Sequence, residues 1–161
     1  MTAADNVVSR DELLRRAAAW RAEGKTVALA NGLFDIVHVG HLRYLEEAAE
    51  LADVLVVAVN DDASARALKG PDRPIVTERE RAELIAGLGC VALVTIFGEA
   101  TVEPLLRALV PDVHCKGTDY TADTVPERDT ARALGIRVAI TGDPKSHATR
   151  DLVRKIREGE R

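Results

Sequence analysis

Short apolar runs alternate with stretches of helical periodicity along nearly the whole chain. Five runs, at residues 26–30, 53–59, 91–97, 112–115 and 136–140, are rich in Val, Ala, Ile and Leu with few polar interruptions. Runs of this length without period-two alternation predict strands buried on both faces. Between them the apolar positions recur every three to four residues, which predicts helices near 39–51, 61–67, 77–88, 101–109 and 126–134, with a last one near 148–158. Ser9 and Glu12 form a capping pattern ahead of Leu13, Leu14, Ala17 and Ala18, and Gly24 ends the segment, so a helix packed on the sheet edge is predicted there. Thr77 and Glu80 repeat the capping box, and Pro104 and Pro126 sit where first turns tolerate proline. Strands and helices in this alternation imply right-handed βαβ crossovers, hence an α/β fold with a parallel, doubly wound sheet. With no repeat, linker or low-complexity segment, residues 1–161 are expected to form a single domain, with 1–24 as an N-terminal helix packed on it.

Composition narrows the function classes. A chain of 161 residues with 47% hydrophobic and 30% charged residues can bury one sizeable core. The formal charge of −4 and only five aromatic residues (Trp20, Phe34, Tyr44, Phe97, Tyr120) offer neither a basic stripe nor a stacking platform, so no nucleic-acid partner is expected. No apolar run approaches the ~20 residues that span a bilayer, and the N-terminus lacks a basic region followed by an apolar core; no membrane partner and a cytoplasmic location are expected. Cys90 and Cys115 lack CxxC spacing and are read as buried, reduced thiols.

The chemistry concentrates in Asn31-Gly32-Leu33-Phe34-Asp35-Ile36-Val37-His38-Val39-Gly40-His41, which joins the first strand to a helix. Residues three apart are neighbours on a helix, so His38 and His41 lie side by side over its N-terminus, with Gly40 between them. Backbone N–H groups and the positive end of the helix dipole favour an anion there, and two imidazoles add donors that tighten as charge grows on phosphorus. Downstream, Gly70, Pro71 and Pro74 keep Lys69 and Arg73 out of regular structure, on a loop able to fold over a substrate phosphate. In a doubly wound sheet ligands bind beyond the carboxyl ends of the strands, where strand order reverses. The loop after the first strand should therefore meet the loop after the fourth, which carries Lys116, Gly117, Thr118, Asp119 and Tyr120.

The string Gly32-x-Phe34-Asp35-x-x-His38-x-Gly40-His41 resembles the signature of the HxGH nucleotidyltransferase superfamily in its cytidylyltransferase-like form. The segments 58–64, 68–75, 80–81 and 116–120 follow in the order found in the bacterial D-glycero-β-D-manno-heptose 1-phosphate adenylyltransferases, known alone or as the C-terminal half of a kinase fusion. This resemblance implies a Rossmann-like five-stranded sheet of order 3-2-1-4-5, and transfer of AMP from ATP to a sugar 1-phosphate with release of pyrophosphate. It implies His38, His41, Lys69 and Arg73 as catalytic residues. Gly32, Leu33, Phe34, Asp35, Gly40, Arg81, Lys116, Gly117, Asp119, Ala148 and Thr149 would bind nucleotide, while Asp35, Lys69 and Arg73 would bind substrate. Asp35 is open among four roles: orienting His38, holding the sugar, helping to hold Mg²⁺, or a purely structural one, since Asp often caps helix N-termini. Magnesium is expected with ATP rather than in an all-protein cage. A separate sugar kinase upstream and a homodimer are further implications.

The chain departs from the family at its last motif. A Ser-Thr-Thr-like run is replaced by His147-Ala148-Thr149-Arg150, leaving Thr149 as the matching hydroxyl, with Ser146 able to shift in and Arg150 to supply a charged donor. Thr118 stands where a second glycine is common, and His114-Cys115 replace an aliphatic pair. Three rivals remain in view: a CTP-dependent cytidylyltransferase of glycerol 3-phosphate or another polyol phosphate, a fragment related to class I aminoacyl-tRNA synthetases, and a non-catalytic nucleotide-binding regulator. Length, charge and the lack of a tRNA-binding region weigh against the second.

Overall fold

A computed structural model describes residues 1–144 and 148–159. Five parallel strands form one sheet: β1 (Val27–Gly32), β2 (Val54–Asn60), β3 (Leu93–Phe97), β4 (Val113–Gly117) and β5 (Arg137–Thr141), in the order β3-β2-β1-β4-β5. The expected doubly wound α/β architecture and strand order are both present. The switch in winding direction falls between β1 and β4, whose registers pair Ala28 with Val113 and Ala30 with Cys115.

Side chains alternate across each strand, and this alternation divides the core in two. Ala28 and Ala30 of β1, Leu55, Val57 and Val59 of β2, and Val113 and Cys115 of β4 face one layer, covered by α2 (Val39–Ala49) and α4 (Glu78–Ala86). Val27, Leu29, Val54, Val56 and Ala58 face the other, covered by α1 (Arg10–Ala22), α5 (Glu103–Leu109) and α6 (Arg128–Ala133). Leu13, Leu29, Leu45, Leu93, Leu105 and Leu106 are essentially inaccessible to water. Each such leucine contributes about 2 kcal/mol through removal of apolar surface. Two further helices, α3 (Asp62–Lys69) and α7 (Thr149–Glu158), flank the carboxyl ends of the strands.

Ser9 caps α1 by accepting from the Glu12 N–H at 3.2 Å, and Glu80 accepts from the Thr77 N–H and hydroxyl at 3.3 and 2.7 Å, as the sequence patterns predict. Pro104 lies in the first turn of α5, whereas Pro126 precedes α6. One element has no expectation behind it: a short 3₁₀ turn, Ala3–Asn6, leads Val7 and Val8 onto the outer edge of β3, where Val8 N–H donates to the Val94 carbonyl at 2.8 Å. The bridge covers a strand edge that would otherwise offer unpaired groups to another chain. Cys90 and Cys115 are free thiols, and burial pushes Cys115 up to about 12. Among the described residues no helix is long and apolar enough to cross a membrane.

Candidate active site

β1 runs two residues past its expected end, to Gly32, and then turns sharply. A Cβ on Gly32 would sit 3.2 Å from the Phe34 ring, so this close approach needs glycine. Phe34 takes a left-handed backbone (φ 52°), uncommon for a bulky residue, and its buried ring holds the turn down. That ring meets His41 edge-on at 5.2 Å and stacks with Tyr44 at 6.4 Å. Tyr44 in turn donates its hydroxyl to the Cys115 carbonyl at 2.8 Å, tying α2 to β4 beneath the site.

His38 and His41 cap α2 reciprocally. The Gly40 N–H donates to His38 Nδ1 at 3.1 Å, while the His38 N–H donates to His41 Nδ1 at 3.2 Å. The rings stack with centroids 3.9 Å apart. Because each Nδ1 accepts from an amide, the neutral tautomer of both rings carries its hydrogen on Nε2. Burial, with a further push from His38, lowers His41 to about 4, so it is a neutral donor at physiological pH. Two imidazole N–H groups thus sit over the amino end of a helix, an arrangement able to donate to phosphate oxygens, His41 doing so as a neutral ring.

The opposite wall comes from β4 and the residues after it. Lys116 belongs to the strand itself, is only 8% exposed, and places its ammonium 4.6 Å from the centre of the Tyr120 ring. Burial lowers its affinity for a proton, opposed by Glu127 and Asp119. Thr118 donates to the Asp143 carbonyl at 2.7 Å, linking this segment to the residues that follow β5. Thr149, at the first turn of α7, donates to the Ile36 carbonyl at 3.3 Å, so α7 is anchored to the signature loop. Ser146 and His147 lie outside the described residues.

Together these segments surround a cleft of about 820 Å³ at the carboxyl ends of the strands. Gly32, Leu33, Phe34, Asp35, His38, Gly40 and His41 line it, as do Lys69, Arg73, Lys116, Gly117, Asp119, Ala148 and Thr149. Lys69 differs from its expected setting: α3 extends to include it, so it stands on the last helical turn.

One expectation needs correction, and a second is narrowed by the structure. Arg81, expected to bind nucleotide, does not line the cleft. It is fully buried and donates to the Val76 carbonyl at 2.9 Å, the Leu33 carbonyl at 2.5 Å and Asp62 Oδ1 at 2.8 Å. Its guanidinium is consumed in fastening three chain segments, including the signature loop, to one another. Asp35, expected to contact substrate, hold metal or orient His38, has both carboxylate oxygens occupied. Oδ2 accepts from Arg73 Nε at 2.5 Å, and Oδ1 accepts from the Ile75 and Val76 amides at 2.8 and 3.0 Å. Burial alone would raise its pKa, but the hydrogen bonds from Val76, Arg73 and Ile75 outweigh it and hold the carboxyl below its ordinary value. Asp35 therefore fixes the loop bearing Arg73 against the site. Among the described residues no three His, Cys, Asp or Glu side chains gather as metal ligands.

Other cleft residues went unrecognised in the sequence. Asn31, Asn60 and Glu127 line it, and the fully buried His114 pairs its Nε2 with Asn31 Oδ1 at 2.9 Å. Burial, with Lys116 adding to it, pushes His114 down to about 3. Strand alternation was the available signal, since Asn31 lies one residue before the end of β1 and Asn60 ends β2.

A model of the cytidylyltransferase-like family matches residues 29–153, from within β1 to the first half of α7. The bifunctional protein HldE of Syntrophotalea carbinolica is 43% identical over 84% of this chain and 28% of its own length; that of Pseudomonas entomophila is 45% identical over 94% and 32%. The chain thus spans about a third of the length of these relatives. The crystal structure of a lipopolysaccharide core biosynthesis protein from Thermoplasma volcanium superposes with a TM-score of 0.63 at 34% identity, covering 73% of this chain and 94% of that one. On the signature, the fold and these similarities together, the chain belongs to the cytidylyltransferase-like family of nucleotidyltransferases.

Proposed function

We propose that the chain transfers AMP from ATP to a sugar 1-phosphate, D-glycero-β-D-manno-heptose 1-phosphate in the first instance, giving ADP-heptose and pyrophosphate. The observation that carries this reading is the reciprocal histidine cap, which turns the Nε2–H donors of both rings away from the backbone at a helix N-terminus inside the cleft. The sugar is favoured by the 43–45% identity to the two bifunctional HldE proteins along most of this chain. In this reading residues 1–161 act as one nucleotidyltransferase unit, with 1–24 packed on it. A separate sugar kinase supplies the acceptor phosphate, and the chain works in the cytoplasm as a homodimer.

The reaction is an in-line displacement. An oxygen of the sugar phosphate attacks the α-phosphorus of ATP, the new P–O bond forms as the bond to the β-phosphate bridging oxygen breaks, and pyrophosphate leaves with that electron pair. No covalent enzyme intermediate is required, so the chain must position and neutralise. His38 and His41 donate to the α- and β-phosphate oxygens. Lys69 and Arg73 receive the acceptor phosphate, Arg73 being held in place by Asp35. Lys116 and Asp119 line the nucleotide wall with Gly117, and Ala148 and Thr149 lie beside the triphosphate at the start of α7. Magnesium would be carried by ATP rather than by side chains of the chain, and would supply charge neutralisation beside the donors His38 and His41.

The test is pyrophosphate release by the purified protein with Mg²⁺, crossing ATP, CTP, GTP and UTP against heptose 1-phosphate and glycerol 3-phosphate. Turnover with ATP and the heptose phosphate is expected. Turnover confined to CTP and glycerol 3-phosphate would replace this reading with the cytidylyltransferase one.

A further inference from the structure

The two faces of the sheet divide the cleft into unlike halves. On the α2 side lie the histidine pair, Phe34 and Tyr44. On the other side, the alternation that points Leu29 toward α1, α5 and α6 also sends Asn31 that way, and on β4 it sends His114 and Lys116 opposite to Val113 and Cys115. Asn60, which follows Ala58 by two residues on β2, joins them. A buried polar layer therefore sits at the strand ends above the second core, and Glu127, the residue preceding α6, closes it.

Glu127 is 5% exposed and lines the cleft, and its Oε2 is buried without a hydrogen-bond partner. Its side chain does not cap α6, although its position would allow it. A buried carboxylate oxygen with no donor is costly to keep, and native chains seldom keep one without use. Lys116 is near enough to interact with it electrostatically but forms no salt bridge with it. That ammonium also makes the spot hostile to a bound cation. No donor of the chain reaches this oxygen, and the other members of the wall, Asn31 and Asn60, are amides suited to hydroxyl groups.

We infer that Glu127 is the specificity-determining residue for a polyhydroxylated acceptor, its Oε2 accepting a hydrogen bond from a sugar hydroxyl while Asn31 contacts a neighbouring oxygen. This rests on the functional reading above, in which the nucleotide occupies the wall formed by Gly117, Asp119, Ala148 and Thr149. The acceptor then falls to the α6 side.

The experiment is calorimetric titration of the full chain and of Glu127→Gln and Glu127→Ala with two probes, heptose 1-phosphate and Mg²⁺ with α,β-methylene-ATP, after thermal unfolding has shown the variants folded. Loss of a hydrogen bond to a charged group predicts a rise of about tenfold or more in the Kd for the sugar phosphate, with the ATP analogue within twofold of wild type. An equal or greater loss for the ATP analogue would overturn the inference, as would unchanged binding of both, or no sugar-phosphate binding by the wild type. If the predicted pattern appears while the wild type releases no pyrophosphate, the polyol site stands and the proposed reaction falls.

Discussion

The backbone N–H of His38 donates to Nδ1 of His41, and the Nδ1 of His38 accepts from the amide next to His41, so each histidine helps hold the helix turn that carries the other. Capping and chemistry use opposite nitrogens of the same rings. The donor nitrogens are thereby fixed in direction before any ligand arrives, which is the condition for stabilising charge that grows during reaction.

His41→Ala should lower kcat at least a hundredfold, since removing one preorganised donor costs ~3 kcal/mol of barrier. Stability should fall by only about 1 kcal/mol, the worth of one cap acceptor. Steady-state kinetics beside urea denaturation separates the two. Near-normal turnover would remove the histidine pair from the chemistry.

Acid should destabilise the fold well before the carboxylates titrate. His41 and His114 have folded values of about 4 and about 3, below the 6.5 of an unperturbed imidazole, so the unfolded chain binds more protons throughout that interval. Their contribution is complete above pH 6.5 and is lost as pH falls toward 4 and then 3. The slope approaches ~1.4 kcal/mol per pH unit for each histidine. Urea midpoints between pH 7 and 5 should therefore decline, and His114→Asn should flatten the decline. A pH-independent midpoint over that range would contradict the burial of both rings.

Asp35→Ala should act through the loop it fastens. Breaking a buried ion pair from one side costs about 3–5 kcal/mol, because the partner charge is left behind. Ile75 and Val76 would also lose their acceptor. The expected result is a large drop in the urea midpoint together with faster proteolysis between residues 69 and 76. An Asp35→Ala protein with wild-type stability and reduced Mg·ATP binding would instead restore the sequence-based expectation of direct contact.

Arg81→Met offers the converse test of a residue expected at the phosphates and found beneath them. Stability should fall by about 3 kcal/mol, since three partly buried acceptors lose their donor. Under conditions where the variant remains folded, its Kd for the ATP analogue should stay within tenfold of wild type. A stable variant with a hundredfold weaker Kd would mean that Arg81 reaches the nucleotide.

Much of the architecture was legible because it depends on short-range pattern. Buried strands wrote themselves as apolar runs, and Ser9–Glu12 and Thr77–Glu80 marked helix starts through chemistry confined to four residues. The histidine cap was half legible: spacing set the rings side by side, but nothing in it specified which nitrogen each backbone amide would take. Arg81 was misread, and Asp35 left open among several roles, because their partners, Leu33 and Asp62 for one and Arg73, Ile75 and Val76 for the other, lie 19 to 48 residues away in sequence. A charged residue in a family motif looks the same whether it meets substrate or another loop. Glu127 was invisible for a related reason, since its burial depends on the packing of α6 against the sheet.

The most direct test of the proposed reaction is to follow the label of [α-³²P]ATP incubated with the protein, Mg²⁺ and heptose 1-phosphate. The label should move into a phosphatase-resistant nucleotide sugar in step with pyrophosphate release, and should fail to do so with His41→Ala. Label that remains in ATP, while labelled CTP is consumed with glycerol 3-phosphate, would contradict adenylyl transfer to a heptose phosphate.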